Sequence, residues 1–329
     1  MANAKADAAR RPGEFELIAQ LFAPLSLKAP GAFALTDDAA VLAPRPGQDL
    51  VLKTDAVVEG VHFFHDDPPG DIARKALRVN LSDLAAKGAV PAGYLMALLL
   101  PDWPDLDWLK AFAAGLAADQ AEFGLSLMGG DTSSTPGALA VSISAIGFVP
   151  HGAMIRRAGA RSGDAVFVSG TIGDAGGGLA VLQGEAGAQS ELVARYRRPR
   201  PRLLLGQALR GLASASLDVS DGLIADLAHL ARTSGVRLEI DASRIPLSAA
   251  LRAVWGSDTA AICRAAVSGD DYEIAFTAVP ERRDAVLAAS ARSGVAVTEI
   301  GRVTAGEGVV LLDGDGKEIA LPRKGFVHF

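Results

Sequence analysis

Cysteine is almost missing from this 329-residue chain. Cys263 stands alone, so no internal disulfide can form, and one thiol builds no zinc site by itself. Long apolar runs are missing too. The longest stretch without Asp, Glu, Lys or Arg, 132–155, is broken by Pro136, Pro150 and several serines, which excludes a membrane-spanning helix there. Arg10 and Arg11 near the start are followed by Pro12, Gly13, Glu14 and Glu16 instead of an apolar core, so no secretory signal is read and a cytoplasmic location is expected. The usual phosphate loops are absent as well. No Gly-x-x-x-x-Gly-Lys-Ser/Thr occurs, and no Gly-x-Gly-x-x-Gly opens a helix behind a strand. There is no basic excess, because 38 Asp and Glu face 32 Lys and Arg, which argues against a nucleic-acid partner.

Half the residues are apolar and 21% are charged, a globular composition with material for two cores. The pattern changes near His151-Gly152. We therefore expect a flexible tail over 1–12, an N-terminal domain over 13–150 and a C-terminal domain over 151–329. Residues 15–22 read as a short amphipathic helix stopped by Pro24. Strands are expected at 49–55, 94–100, 125–128, 139–146, 165–169, 237–240 and 272–277. Helices are expected over 71–87 (ended by Gly88 and Pro91), 106–123, from about 175, and over 201–212, 223–233 and 280–293.

Within the 71–87 helix, Ile72, Ala76, Val79 and Asp83 fall at i, i+4, i+7 and i+11 and share one stripe. A carboxylate carried inward must be hydrogen-bonded, paired or bound to a cation. Spacing alone leaves Asp83 either a loop cap or a ligand. More aspartates follow apolar runs directly: Asp55, Asp131 behind Gly129-Gly130, Asp218 and Asp221, and Asp270-Asp271. Each one singly suits a turn or helix cap. With Asp37, Asp38 and Asp83 they make an excess of carboxylates that would repel itself without cations. Hard oxygen donors with no Cys or His set point to Mg²⁺, which completes its shell with water and phosphates. The loop 170–178, rich in glycine, follows a strand and fits either an anion cradle or a tight turn. Arg195, Arg197, Arg198, Arg200 and Arg202 read as a solvated connector more readily than as a phosphate clamp.

Nine segments carry a resemblance along nearly the whole chain. They are Gly13-Glu14-Phe15, Thr36-Asp37-Asp38-Ala39, Thr54-Asp55, Val61-His62-Phe63, Val79-Asn80-Leu81-Ser82-Asp83, Gly129-Gly130-Asp131-Thr132, Leu217-Asp218-Val219-Ser220-Asp221-Gly222-Leu223, Gly269-Asp270-Asp271-Tyr272-Glu273 and the closing Lys324-Gly325-Phe326-Val327-His328-Phe329. In this order they resemble the thiamine-monophosphate kinases. The resemblance implies an α/β chain of aminoimidazole-ribonucleotide-synthetase-like architecture, with an α+β N-terminal domain whose β-sheet forms a homodimer and an α/β C-terminal domain. It implies transfer of a phosphoryl group from ATP to thiamine phosphate, giving thiamine diphosphate. It further implies several Mg²⁺ ions held by Asp38, Thr54, Asp55, Asp83, Asp131, Asp218 and Asp221. ATP would meet Gly129, Gly130, Asp131, Arg157 and Ser220, and thiamine phosphate would meet His62, Asp270 and Phe326. No separate catalytic base is implied, because the acceptor phosphate is already ionised.

The sequence departs from that pattern in places. Lys53 stands where a small hydroxyl residue often precedes Thr-Asp, Thr36 replaces a Gly, Asp270 replaces a Glu, and Ala113 stands where some members carry an aromatic ring. The runner-up is an aminoimidazole ribonucleotide synthetase. A selenophosphate synthetase is disfavoured by an N-terminal segment without Cys, and a hydrogenase-maturation relative by His328-Phe329 where a Cys would stand. A non-catalytic nucleotide-binding dimer is the alternative from another class.

Overall fold

The structure, a computed structural model, describes residues 14–101, 106–321 and 325. Phe326 and most of the closing motif lie outside the described residues. The chain divides into two units: one of residues 1–43, 54–76 and 92–144, the other of 44–53, 77–91 and 145–329.

The helices are α1 Glu14–Leu17, α2 Pro69–Ala86, α3 Leu106–Phe123, α4 Asp174–Leu182, α5 Ser190–Arg197, α6 Leu203–Ala208, α7 Leu223–Ser234, α8 Ala249–Trp255, α9 Thr259–Ala266 and α10 Arg283–Ser293. The strands are β1 Gln48–Val58, β2 Val90–Leu100, β3 Ser126–Ser134, β4 Ala140–Pro150, β5 Ala165–Ser169, β6 Ala215–Asp218, β7 Arg237–Asp241, β8 Ile274–Ala278, β9 Val297–Thr304 and β10 Gly308–Leu312. A four-stranded sheet runs in the order β1-β4-β2-β3, and a six-stranded sheet in the order β10-β7-β9-β5-β8-β6. In the second sheet β10 and β7 are parallel, and the other pairings are antiparallel.

Helix α2 carries the expected stripe. Ile72, Ala76 and Val79 are buried, and Asp83, one turn on, keeps its carboxylate half-buried. Gly88, at φ +70°, ends the helix. The Gly88 amide donates to the Ala85 carbonyl and the Ala89 amide to the Leu84 carbonyl, a closing pattern that needs a left-handed residue. Near its start α2 meets α3 backbone to backbone: a Cβ on Gly115 would sit 2.3 Å from the Gly70 carbonyl oxygen. Arg74 on α2 seals the contact by donating to Asp119, which is fully buried on α3, at 2.8 Å.

Two aspartates expected at strand ends sit inside strands instead. β1 continues past Asp55 to Val58, and β3 past Asp131 to Ser134. These are the two edges of the four-stranded sheet, where a polar side chain faces outward without stopping the ladder. Gly130 is required in β3, since a Cβ there would lie 1.9 Å from the Met96 carbonyl oxygen. Other expectations needed correcting. Pro91, expected to close α2, lies within β2. Past α1 the chain winds through a π turn, Ile18–Phe22, and a 3-10 turn, Ala23–Ser26, that accepts Pro24 in its first positions. The expected helix over 201–212 shrinks to α6, with Gly211 left-handed beyond it. β8 starts at Ile274, not at 272, because Asp270 and Tyr272 adopt φ of +68° and +51°. Helices α5, α8 and α9 and strands β6, β9 and β10 were not foreseen.

The packed glycines of α2 and α3 give a direct test. Gly115→Val should lower unfolding free energy by about 1–3 kcal/mol, the scale of overpacking. Gly187→Ala, where a Cβ meets nothing within 4 Å, should leave it unchanged in the same urea titration.

Candidate functional site

In the second unit, three sequence-predicted aspartates come from neighbouring pieces of structure. Asp83 rides on α2, Asp218 ends β6, and Asp221 follows in the turn that leads to α7. Asp218 is buried. Burial first, and then the charges of Asp83 and Asp226, hold its carboxyl well above the usual carboxylate range, against the Ser82 hydroxyl and the Lys87 ammonium. Two lysines supply opposing charge. Lys53 Nζ lies 2.8 Å from Asp83 Oδ2, and Lys87 donates to the Ser216 carbonyl at 2.7 Å. Burial pulls the Lys87 ammonium down to about 8 even though Asp218 and Asp83 pull it up.

Asp226, which the sequence reading missed, organises the turn. One of its oxygens accepts from the Ser220 and Asp221 amides, both at 2.9 Å. Burial and then the Asp221 charge push the Asp226 carboxyl up to about 7, opposed by those two amide bonds. The same turn is bound to the 269–273 segment. The Asp270 amide donates to Ser220 O at 2.8 Å and the Tyr272 amide to Val219 O at 2.7 Å. Gly269 permits this approach, for a Cβ there would lie 2.6 Å from Ser220 O. Arg157 is exposed, and its charge reaches Lys87 and Asp226.

The amides of the glycine-rich loop before α4 are taken by a carboxyl group of the chain itself, one that burial holds well above the usual carboxylate range. Asp271 accepts from the Gly173 amide at 2.6 Å and the Ala175 amide at 3.2 Å. The arginine-rich stretch is likewise not a solvated connector throughout. Arg195 and Arg202 turn inward onto buried Glu273, while Arg198 and Arg200 stay exposed. An alternation of Asp271 and Glu273 ahead of the fully buried run of β8 was the available signal, since inward carboxylates demand cations.

In the first unit, Asp38 is exposed, with its amide bonded to Asp37. The Thr54 hydroxyl donates to Ile143 O at 3.1 Å, and Asp55 is half-buried beside it. Asp131 is exposed and accepts from the Ser133 hydroxyl at 2.9 Å, with Gly129 and Gly130 just before it. His62 is fixed in the turn behind β1. Its Nδ1 accepts from the Val58 amide at 3.1 Å, which leaves the neutral ring's proton on Nε2. Its carbonyl takes the Lys75 ammonium at 2.6 Å. Among the described residues, no three His, Cys, Asp or Glu side chains form a ready metal cage.

Two family models match: "AIR synthase related protein, N-terminal domain" over residues 36–149 and the corresponding C-terminal domain over 161–314. The chain is 45% identical over 331 aligned residues to a thiamine-monophosphate kinase of Caulobacter vibrioides, covering 99% of this chain and 94% of that one. It is similar to a crystal structure of thiamine-monophosphate kinase from Stenotrophomonas maltophilia, at 42% identity and TM-score 0.80, covering 87% of this chain and 91% of that chain. It is also similar to a structure of AaThiL complexed with AMPPCP and TMP, at 35% identity and TM-score 0.77, covering 96% and 97%.

The Asp226 arrangement predicts a stability effect. Asp226→Ala strips two amides of their acceptor and should cost about 1–3 kcal/mol in denaturant unfolding. A change within about 0.5 kcal/mol, the surface-substitution range, would show that the turn holds without it.

Proposed function

The chain belongs to the thiamine-monophosphate kinase family of AIR synthase related proteins, and on that premise we propose how its residues carry out the reaction. It is an ATP-dependent kinase that phosphorylates thiamine phosphate, which yields thiamine diphosphate and ADP. The observation that carries this is 45% identity along essentially the whole chain, supported by a relative's complex with AMPPCP and TMP.

The finer reading concerns metal and residues. Burial and then the Asp83 charge raise the cost of ionising Asp218, and a divalent cation would relieve it. Their donors are hard oxygens, which suits Mg²⁺. Mg²⁺ commonly takes one or two carboxylates plus water and phosphate oxygens, so a cage of three protein ligands is not needed. In this reading Asp83, Asp218 and Asp221 of one unit, and Asp38, Thr54, Asp55 and Asp131 of the other, are metal ligands. Gly129, Gly130, Asp131, Arg157 and Ser220 bind ATP. His62 and Asp270 face thiamine phosphate, together with Phe326, which lies outside the described residues. When bound, the metal neutralises charge on the phosphates.

The acceptor needs no base. A phosphate monoester has a second pKa of about 6 and is mostly dianionic at neutral pH. One of its oxygens attacks the γ-phosphorus of ATP in line, the bond to the β,γ-bridging oxygen breaks, and ADP leaves with the electron pair. The chain's residues align two anions and offset their repulsion, and no phosphorylated residue intervenes. We further propose a domain division near residue 150, a cytoplasmic location consistent with ATP as co-substrate, and a homodimer. The homodimer is supported by Leu50 and Leu52, exposed at 49% and 68% on the edge strand β1.

ADP formation should require both Mg²⁺ and thiamine phosphate. Equal ATPase rates with and without thiamine phosphate would overturn the assignment. Asp83→Asn should collapse turnover and raise the Mg²⁺ concentration for half-maximal rate. Its melting temperature without Mg²⁺ should barely move, because the half-exposed Lys53 pair contributes no more than about 1 kcal/mol. A destabilised variant with an unshifted Mg²⁺ curve would make Asp83 scaffolding. Light scattering should give about twice the 33.8 kDa chain mass. A fully active monomer would remove the dimer.

A further inference from the structure

The segment 269–273 is built to hold an uncomfortable shape. Asp270 and Tyr272 sit at φ +68° and +51°, where residues with a side chain are disfavoured. Between and after them, Asp271 and Glu273 point into the protein and are fully buried. Asp271 is fastened to the start of α4 through the Gly173 and Ala175 amides, and its carbonyl accepts from Arg195 at 3.0 Å. Glu273 is held from three sides. Arg195 donates to its Oε1 at 2.9 Å, Arg202 grips both oxygens through Nε and Nη2, and the Ser169 hydroxyl donates to Oε2 at 2.6 Å. Gly170 makes room, since a Cβ there would lie 2.2 Å from Glu273 Oε1.

Two buried acids, one buried arginine and one half-buried arginine are a costly way to start a strand. Well-packed apolar side chains commonly do that as cheaply. What the ionic arrangement adds is direction, because a bidentate arginine fixes a carboxylate in orientation as well as position. With residues 271 and 273 pinned inward, the residue between them and the one before them are left with left-handed backbone. Asp270 is thereby brought to the face where its amide meets Ser220 O. Its carboxylate there accepts from the Tyr272 hydroxyl at 3.2 Å.

We infer that Glu273, clamped by Arg195, Arg202 and Ser169, is a positioning residue that holds Asp270 in the orientation that receives thiamine phosphate. This rests on the reading that Asp270 faces the acceptor. Glu273 itself touches no substrate, so its effect must pass through Asp270.

The test measures KM for thiamine phosphate, KM for ATP and melting temperature for Asp270→Ala, Glu273→Gln and Ser169→Ala, and for each of the last two combined with Asp270→Ala. Glu273→Gln keeps the shape and removes the charge. Ser169→Ala removes one hydroxyl and keeps the ion pairs, so it serves if the first variant folds poorly. Each single variant should raise the KM for thiamine phosphate by about three- to tenfold, the scale of one lost hydrogen bond, with the KM for ATP within about twofold. In the Asp270→Ala background, Glu273→Gln and Ser169→Ala should add nothing further to the acceptor KM, the signature of residues acting through one another. A general loss of structure would instead move both KM values or add in full, and either result overturns the inference. If Asp270→Ala leaves the acceptor KM unchanged, the reading of Asp270 has failed. If Asp270→Ala raises it and the Glu273 and Ser169 variants do not, the brace alone has failed.

Discussion

A carboxylate taken out of water must be compensated, and the second unit of this protein meets that requirement in two different ways. Around Glu273 compensation is complete, whereas burial still holds the Asp271 carboxyl well above the usual range against its two amides and Arg195. Two guanidinium groups and a hydroxyl account for the Glu273 carboxylate oxygens. Around Asp218 it is incomplete. Lys53 is engaged with Asp83, Lys87 gives its hydrogen bond to a carbonyl, and Asp218 is still driven toward its protonated form by burial and two neighbouring acids. Complete compensation makes a rigid element. Incomplete compensation makes a place where a further cation would be stabilising, and three of the ligands implied by the resemblance, Asp83, Asp218 and Asp221, fall there.

The two arrangements are joined through backbone. Val219 and Ser220, just past Asp218, accept hydrogen bonds from Tyr272 and Asp270, and the Val219 amide returns one to Glu273 O at 2.8 Å. Asp226 ties the far side of the turn by taking the Ser220 and Asp221 amides. Asp218, Ser220 and Asp221 therefore share a frame with Asp270, the residue proposed to face the acceptor. For a reaction whose acceptor is already ionised, most of the available rate comes from alignment, and a shared frame is what alignment requires.

Much of this was legible from residue spacing. The stripe on α2 and its glycine stop, the full length of α3, and β5 follow from periodicity and helix punctuation, because local sequence sets them. The carboxylates stood out for the same local reason, each one directly behind an apolar run. What could not be read were consequences of pairing. β1 and β3 run through their aspartates because edge position tolerates an outward polar residue, and edge position is a property of the sheet. The glycine-rich loop before α4 has the amides of an anion cradle, but they are taken by the carboxyl of Asp271, 98 residues away from Gly173. Arg195 and Arg202 looked solvated beside Arg198 and Arg200 because their partner, Glu273, is more than 70 residues distant.

The resemblance marks Lys53 and Asp270 as departures, and each has a local physical setting. An ammonium at position 53 reaches Asp83 at 2.8 Å, so this chain carries one fixed positive charge against a carboxylate that is otherwise a free ligand candidate. Such a charge lowers the repulsion among the acids before any ion arrives, and it competes for the same oxygen once one does. At position 270 the side chain is one methylene shorter than the glutamate the resemblance implies. Asp tolerates the left-handed conformation better than most residues, since its short polar side chain finds local hydrogen-bond partners. Tyr272 supplies that partner here. The shorter acid thus gives up reach and gains a defined orientation. In the role proposed for Asp270, orientation set by the backbone offsets the loss of reach.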